Sequence, residues 1–371
     1  MKTAALSFLF SLSLAAHAQV GVSPSTIRLG QSAPLSGPAA ALGTEMRSGA
    51  KAYFDYVNAQ GGVNGRTIEL ETLDDGYEPG RTVANTKKLL NEQVFALFGY
   101  VGTPTSLAAM PLVTNAKVPF IAPFTGAEAL RSGNNPYLFH LRASYFDETE
   151  EIVRFIVDSN QRRVAVFYQD DAFGQAGLSG VQRALTRRDL ETVATGTVKR
   201  NTVEVVAAVK SIVPAHPDAV VMISAYTSCA EFVREAKKAG YTGRYYSVSF
   251  VGAEALAREL GADSYGVIVS QVVPLPWDRT IPIAKEYESR MQKDGMTELS
   301  FTSLEGYLAA RVLTEALEAA GRDLTREKLI HALEKVREDM GGFFVGFSPQ
   351  RHVASQFVEL VMIGRDGKFI R

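Results

Sequence analysis

From Ile27 onward the chain alternates short apolar runs with longer stretches whose apolar residues recur every three or four positions. No other feature constrains the fold as tightly. Short apolar runs suit strands covered on both faces, and the longer period suits helices with one buried face. Ile27–Gly30 and Ile68–Leu73 read as strands; between them Met46, Ala50, Tyr53, Phe54 and Val57 share a helical face that Gly61-Gly62 ends. The pattern then predicts a helix over Thr82–Asn91, a strand over Phe95–Phe98, a helix over Pro104–Ala116 and a strand over Val118–Ala122. It restarts with helices over Asp147–Asp158, Gln175–Arg187, Val203–Ile212 and Ser228–Ala239. These are separated by strands over Val164–Tyr168, Thr192–Val198, Ala219–Ile223 and Tyr245–Val248. Such alternation implies an α/β protein with two doubly wound parallel sheets.

The tail breaks the rhythm. Helices over Pro282–Lys293, Phe301–Ala320 and Thr325–Lys335 follow one another without a strand, and strands near Phe343–Phe347 and Phe357–Ile363 come last. The helices read as packing onto a sheet already built, while the strands could return to either sheet.

The 371 residues, 46% of them hydrophobic and 21% charged, can bury enough apolar surface to order about two domains. With 39 basic and 40 acidic side chains there is no cationic excess for nucleic acid. Cys229 is the single cysteine, which excludes an intrachain disulfide and a multi-cysteine metal cage.

At the N-terminus, Lys2, an apolar run over Ala4–Ala16 and the small-x-small triplet Ala16-His17-Ala18 read as a secretory signal cleaved before Gln19. No cysteine stands at the cut, so a lipid anchor is not expected. Residues 1–18 are thus expected to leave, and the mature chain is read as periplasmic.

The sequence contains no G-x-S-x-G elbow, phosphate loop, G-x-G-x-x-G or H-E-x-x-H. Outside the leader, His140, His216, His331 and His352 lie in unrelated contexts. Asp74-Asp75 and Asp170-Asp171 each precede a helix, where capping and turn roles suit them better than catalysis. Cys229, at the start of a helix, reads as a small apolar residue. The expectation is therefore no enzyme, no cofactor and no metal. More informative are strand-to-helix loops of small and hydroxyl residues: Leu35–Gly43, Phe98–Ser106 and Ile223–Ser228. At the carboxyl ends of strands such loops present free backbone N–H groups to ligands.

The order of Leu35-Ser36-Gly37, Gly61-Gly62-Val63-Asn64-Gly65, Asp74-Asp75, Val118–Pro123, Asp171–Gly174 and Glu305–Ala310 resembles periplasmic solute-binding proteins of the branched-chain amino-acid type. The resemblance covers essentially the whole mature chain. It implies the type I binding-protein fold, two α/β lobes joined by three hinge crossings. Lobe 1 would comprise residues 25–141 and 274–341, and lobe 2 residues 142–273 and 342–371.

The same resemblance implies ligand contacts. Thr103, with Gly102 beside it, matches a hydroxyl that holds the ligand carboxylate. Phe124 falls where the family uses a backbone group. Gly126 stands where a second hydroxyl is expected, with Thr125 adjacent. Phe173 and Tyr226 match aromatics that close over the ligand, and Leu42 replaces another. Phe250 occupies the place of the acid that pairs with the α-ammonium group. A buried ammonium would then lack its counter-charge unless Glu254 or Glu305 reaches in. Phe250, Phe173, Tyr226, Tyr145 and Trp277 could instead form an aromatic box around an apolar or aromatic carboxylate.

The resemblance further implies a monomer that captures a small molecule by hinge closure and delivers it to a membrane permease with a cytoplasmic ATPase. A ligand-sensing module of the same fold is the alternative, and an exported enzyme a third.

Overall fold

The computed structural model of the protein describes residues 19–371 apart from 134, 294, 296 and 297, so the expected leader lies outside the described residues. The first sheet contains β1 (Thr26–Ala33), β2 (Thr67–Asp74), β3 (Ala96–Phe98), β4 (Phe120–Ile121) and β5 (Leu138–Phe139). These lie in the order β2-β1-β3-β4-β5, all parallel. Helices α1 (Ala40–Ala59), α2 (Pro79–Asn91) and α3 (Thr103–Ala116) connect its strands. β4 is shorter than its apolar run because Pro119 offers no N–H and Ala122 turns into the left-handed region at φ 50°.

The chain then crosses to a second layered unit. It runs α4 (Tyr145–Asp158), β6 (Val164–Gln169), α5 (Ala172–Thr186), β7 (Thr192–Val198), α6 (Val206–Ile212), β8 (Ala219–Ile223), α7 (Tyr226–Lys238), β9 (Arg244–Ser247), α8 (Ala253–Leu260) and β10 (Ile268–Gln271). Caps place these helices. Ser144 and Asp147 form a reciprocal capping box on α4, and Asp171 accepts from the Phe173 amide at the start of α5.

A second crossing leads to α9 (Pro282–Lys293), α10 (Phe301–Ala320) and α11 (Arg326–Leu333). α10 packs on α1 almost backbone to backbone: a Cβ added to Gly49 would lie 1.7 Å from the Ser303 carbonyl oxygen. The tail helices therefore belong with the first sheet. Next come β11 (Arg337–Asp339) and β12 (Phe344–Gly346), which pair only with each other. One of the two expected tail strands thus joins neither large sheet. A third crossing brings β13 (Glu359–Ile363) and β14 (Phe369–Ile370) onto the second sheet, ordered β14-β13-β10-β9-β8-β6-β7. β13 runs antiparallel to β10, so that edge departs from the parallel expectation. The architecture is α/β in two lobes, each with a largely parallel sheet, and the chain passes between them three times.

Candidate functional site

The carboxyl ends of β3 and β4 in one lobe face those of β6, β8 and β9 in the other. Gly102, at φ 102°, precedes α3 and makes Thr103 its first residue. The Thr103 hydroxyl lies 2.7 Å from that of Thr125, and both are buried. Phe124 is held by its amide, which donates to the Tyr100 carbonyl at 2.7 Å. Tyr145, the first residue of α4, turns its hydroxyl toward Thr103 and Thr125. That hydroxyl is buried without a completed hydrogen bond, and burial pushes its pKa up to about 12. Three hydroxyls therefore converge from both lobes at the N-terminus of a helix, where a carboxylate would find donors and a favourable dipole. Gly126 has a steric role here: a Cβ would sit 2.7 Å from the Tyr145 ring and amide, so any side chain would displace Tyr145.

Rings close over these hydroxyls. Phe250, in the turn after β9, centres 4.6 Å from Phe173 and 5.4 Å from Phe124. Phe173 lies 5.3 Å from Tyr145. Sequence reasoning missed Tyr77, whose ring is 5.9 Å from Phe250. It stands at φ 62° with its amide donating to Asp75, and its ring occupies the space left by the absent Cβ of Gly102, which would lie 2.2 Å away. Nothing in Asp75-Gly76-Tyr77 beyond a turn signal marks it in advance. Tyr226 is further out: its hydroxyl accepts from the Ala41 amide of the facing lobe at 3.4 Å. Leu42, beside Ala41, is buried against Gly252 across the cleft. Trp277 stands apart from the Phe250 cluster, packing on Phe301 and Phe369.

The acids near the site are already engaged. Arg142, fully buried on the first crossing, lies 3.5 Å from Glu148 and 3.7 Å from Glu305 and bonds the Ser249 hydroxyl. Glu148 also accepts from the Ser249 amide at 2.7 Å and the Ser270 hydroxyl at 2.6 Å. Burial, opposed by Arg142, pushes Glu305 up to about 7. Glu254 accepts from the Phe301 amide at 2.9 Å, and burial pushes it up to about 8. An arginine directly after Leu138-Phe139-His140-Leu141 was the available signal for the Arg142 group.

The acidic pairs hold loops. Asp74 accepts from the Leu35, Ser36 and Gly76 amides, which takes the first two N–H groups of the Leu35–Gly43 loop away from a ligand. Asp171 accepts from Arg200, which also reaches Glu78 of the other lobe at 2.8 Å. Asn201 donates to the Gly76 carbonyl and to Glu78, completing a clasp across the cleft. Cys229 is buried with its thiol toward the Ser224 carbonyl, and burial raises its pKa. Among the described residues no His, Cys, Asp and Glu group is arranged to hold a metal ion, and no helix is long and apolar enough to cross a membrane.

Residues 26–368 match the family model described as "Periplasmic binding protein". The chain is similar to a Leu/Ile/Val-binding protein homolog 7 from Brucella abortus, 26% identical over 98% of this chain and 95% of that protein. Among solved structures it is similar to a possible leucine/isoleucine/valine-binding protein from Rhodopirellula baltica, 36% identical, TM-score 0.90, covering 94% of this chain and 96% of the other. A substrate-binding periplasmic protein from Ralstonia solanacearum is 33% identical, TM-score 0.88, covering 93% of this chain and 99% of the other.

Proposed function

The chain belongs to the periplasmic binding protein family, whose members bind solutes and are not enzymes, and from that premise we propose that it is the solute-binding subunit of an ABC importer. Its ligand is a small apolar or aromatic carboxylate without an α-ammonium group. The carboxylate sits at Thr103, Thr125 and Tyr145, and the body of the ligand lies against Phe124, Phe173, Phe250 and Tyr77. Closure follows because only the closed arrangement brings both sets of contacts to the ligand. A leader of the secretory kind supports delivery to the periplasm, and a permease with its ATPase would receive the cargo.

One observation carries the ligand reading: Phe250 stands where an ammonium-pairing acid is expected, with rings around it, and the buried acids of the cleft are held by other groups. Glu148 and Glu305 flank Arg142, and Glu254 caps the start of α10. A desolvated ammonium beside Phe250 would meet aromatic rings in place of a carboxylate, a cost of several kcal/mol. The test uses ligands differing only in the amine. By calorimetry on refolded, ligand-free protein, 4-methylpentanoate should bind at least tenfold tighter than leucine, and 3-phenylpropanoate tighter than phenylalanine. Tighter binding of either amino acid would overturn the ligand reading.

A further inference from the structure

Tyr77 holds a backbone conformation that a bulky side chain seldom takes. Its φ of 62° lies in the left-handed region, where a Cβ crowds the following carbonyl oxygen. Its surroundings enforce the choice. The Tyr77 amide donates to buried Asp75 at 2.8 Å, and the other carboxyl oxygen of Asp75 accepts from the hydroxyls of Ser32 at 2.7 Å and Thr82 at 3.0 Å. The turn is thereby tied to β1 and α2. Both neighbours of Tyr77 are gripped from the facing lobe: Asn201 donates to the Gly76 carbonyl and to Glu78, and Arg200 donates to Glu78. A strained residue held on so many sides is placed for its side chain.

The fully buried ring has an inner and an outer side. Inward it meets Gly102, beside Thr103, and the Phe250 ring at 5.9 Å. Outward its hydroxyl accepts from the Gln169 side-chain amide at 3.3 Å, and the Arg200 guanidinium lies 6.0 Å from the ring centre. Beyond it are the charged groups of the rim, Glu78, Asp171 and Arg200, all partly exposed. Tyr77 thus separates an apolar cleft from a charged rim.

We propose that Tyr77 fixes the length of the ligand, its ring being the wall at which an apolar chain must stop. The proposal rests on the reading that the cleft takes an apolar carboxylate at Thr103, and deepens it. The ring cannot step aside easily: Gly102 touches one edge, Gln169 holds the hydroxyl, and Asp75 and Asn201 fix the turn. A longer chain would also have to enter the rim and strip water from the charges paired there. Closure completes the wall, because Gln169, Arg200 and Asn201 all come from the facing lobe.

The test is a chain-length series of hexanoate, octanoate and decanoate, titrated by calorimetry into refolded, ligand-free wild type, Tyr77→Gly, Tyr77→Leu and Tyr77→Phe. Norleucine, 2-aminooctanoate and 2-aminodecanoate run in parallel. Wild type should bind hexanoate at least tenfold tighter than octanoate. Glycine suits the left-handed turn, so Tyr77→Gly should keep the turn and lose only the wall. The order should then reverse, with octanoate about tenfold tighter than hexanoate, since each buried methylene is worth roughly fourfold. Tyr77→Leu, bulky but ringless, should narrow the wild-type preference, and it supplies the reading if the glycine variant melts early. Tyr77→Phe keeps the ring and loses the Gln169 bond, so it should weaken every acid a few-fold and keep the wild-type order. Equal weakening at all lengths in Tyr77→Gly and Tyr77→Leu would show a ring that only packs the lobes together, and would overturn the proposal. Wild-type affinity rising steadily to decanoate would do the same. If the amino series binds tighter, the claim that the ligand lacks an ammonium falls, while the change of order with Tyr77 still decides this inference. Silence of both series in wild type and variants alike would overturn both.

Discussion

Glu254 shows how one side chain ties pH to stability. One carboxyl oxygen accepts from the Phe301 amide, the other is buried without a partner, and the carboxyl titrates at about 8. Because this lies above the ordinary 4.5, the folded chain keeps a proton that the unfolded chain has released. Stability therefore falls as pH rises from about 4.5 to about 8 and levels off above that. Glu254→Gln should remove this part of the slope, narrowing the difference in Tm between acid and mildly alkaline buffer by a few degrees; an unchanged slope would refute the assignment. Phe250 matters for binding instead. Its ring touches both lobes' aromatics, so Phe250→Ala should cost about 2 kcal/mol of affinity for 4-methylpentanoate, roughly thirtyfold. Calorimetry checks this, with a melting curve to show that the variant folds. Equal affinity would mean that the ring is packing alone.

At the scale of elements, α1 and α10 are joined by glycine. A Cβ at Gly49 would meet the Ser303 carbonyl at 1.7 Å, and one at Gly306 would meet the Met46 carbonyl at 2.1 Å. Backbone cannot yield as a side chain can, so Gly49→Ala should cost about 3 kcal/mol. Gly80 in α2 meets nothing within 4 Å, so Gly80→Ala should stabilise by about 0.5 to 1 kcal/mol. Thermal melts of the pair test both signs, and a neutral Gly49→Ala would show the helices free to separate. The long helices were legible: Pro282–Lys293 and Phe301–Ala320 appear with the ends that periodicity predicts, as do the strands Thr192–Val198 and Ala219–Ile223. α8 and β10 were not read, and β5 has only two residues. Short elements complete too few periods to signal themselves, and β10 ends on buried Ser270 and Gln271, whose polarity masks a strand.

Across the whole molecule, the lobes meet through rings in the cleft and, at its rim, through a polar clasp. Arg200 links Glu78 of one lobe to Asp171 of the other, with both pairs partly exposed. Such a pair contributes about 1 kcal/mol, enough to shift a closing equilibrium without holding either lobe together. Arg200→Ala should therefore lower ligand affinity roughly fivefold while leaving the melting temperature of the ligand-free chain nearly unchanged. X-ray scattering should show a larger radius of gyration at subsaturating ligand, and unchanged affinity would mean that closure does not depend on this clasp. Periodic burial is a local property, so the amino-acid sequence alone determined the layered α/β architecture, the alternation of strand and helix, and the absence of any familiar catalytic motif. The Phe98–Ser106 loop was readable for the same reason, because a strand, a small-residue loop and a helix follow in order, whereas Thr103 within it was singled out by the family resemblance. Which charges meet is decided only when distant segments pack. Arg142 takes Glu305 and Glu148, Gly102 makes room for Tyr77, and Trp277 goes to Phe301, away from Phe250. The desolvation that makes those pairings necessary exists only in the folded interior, where a charge or a ring must find a partner that its neighbours in sequence do not supply.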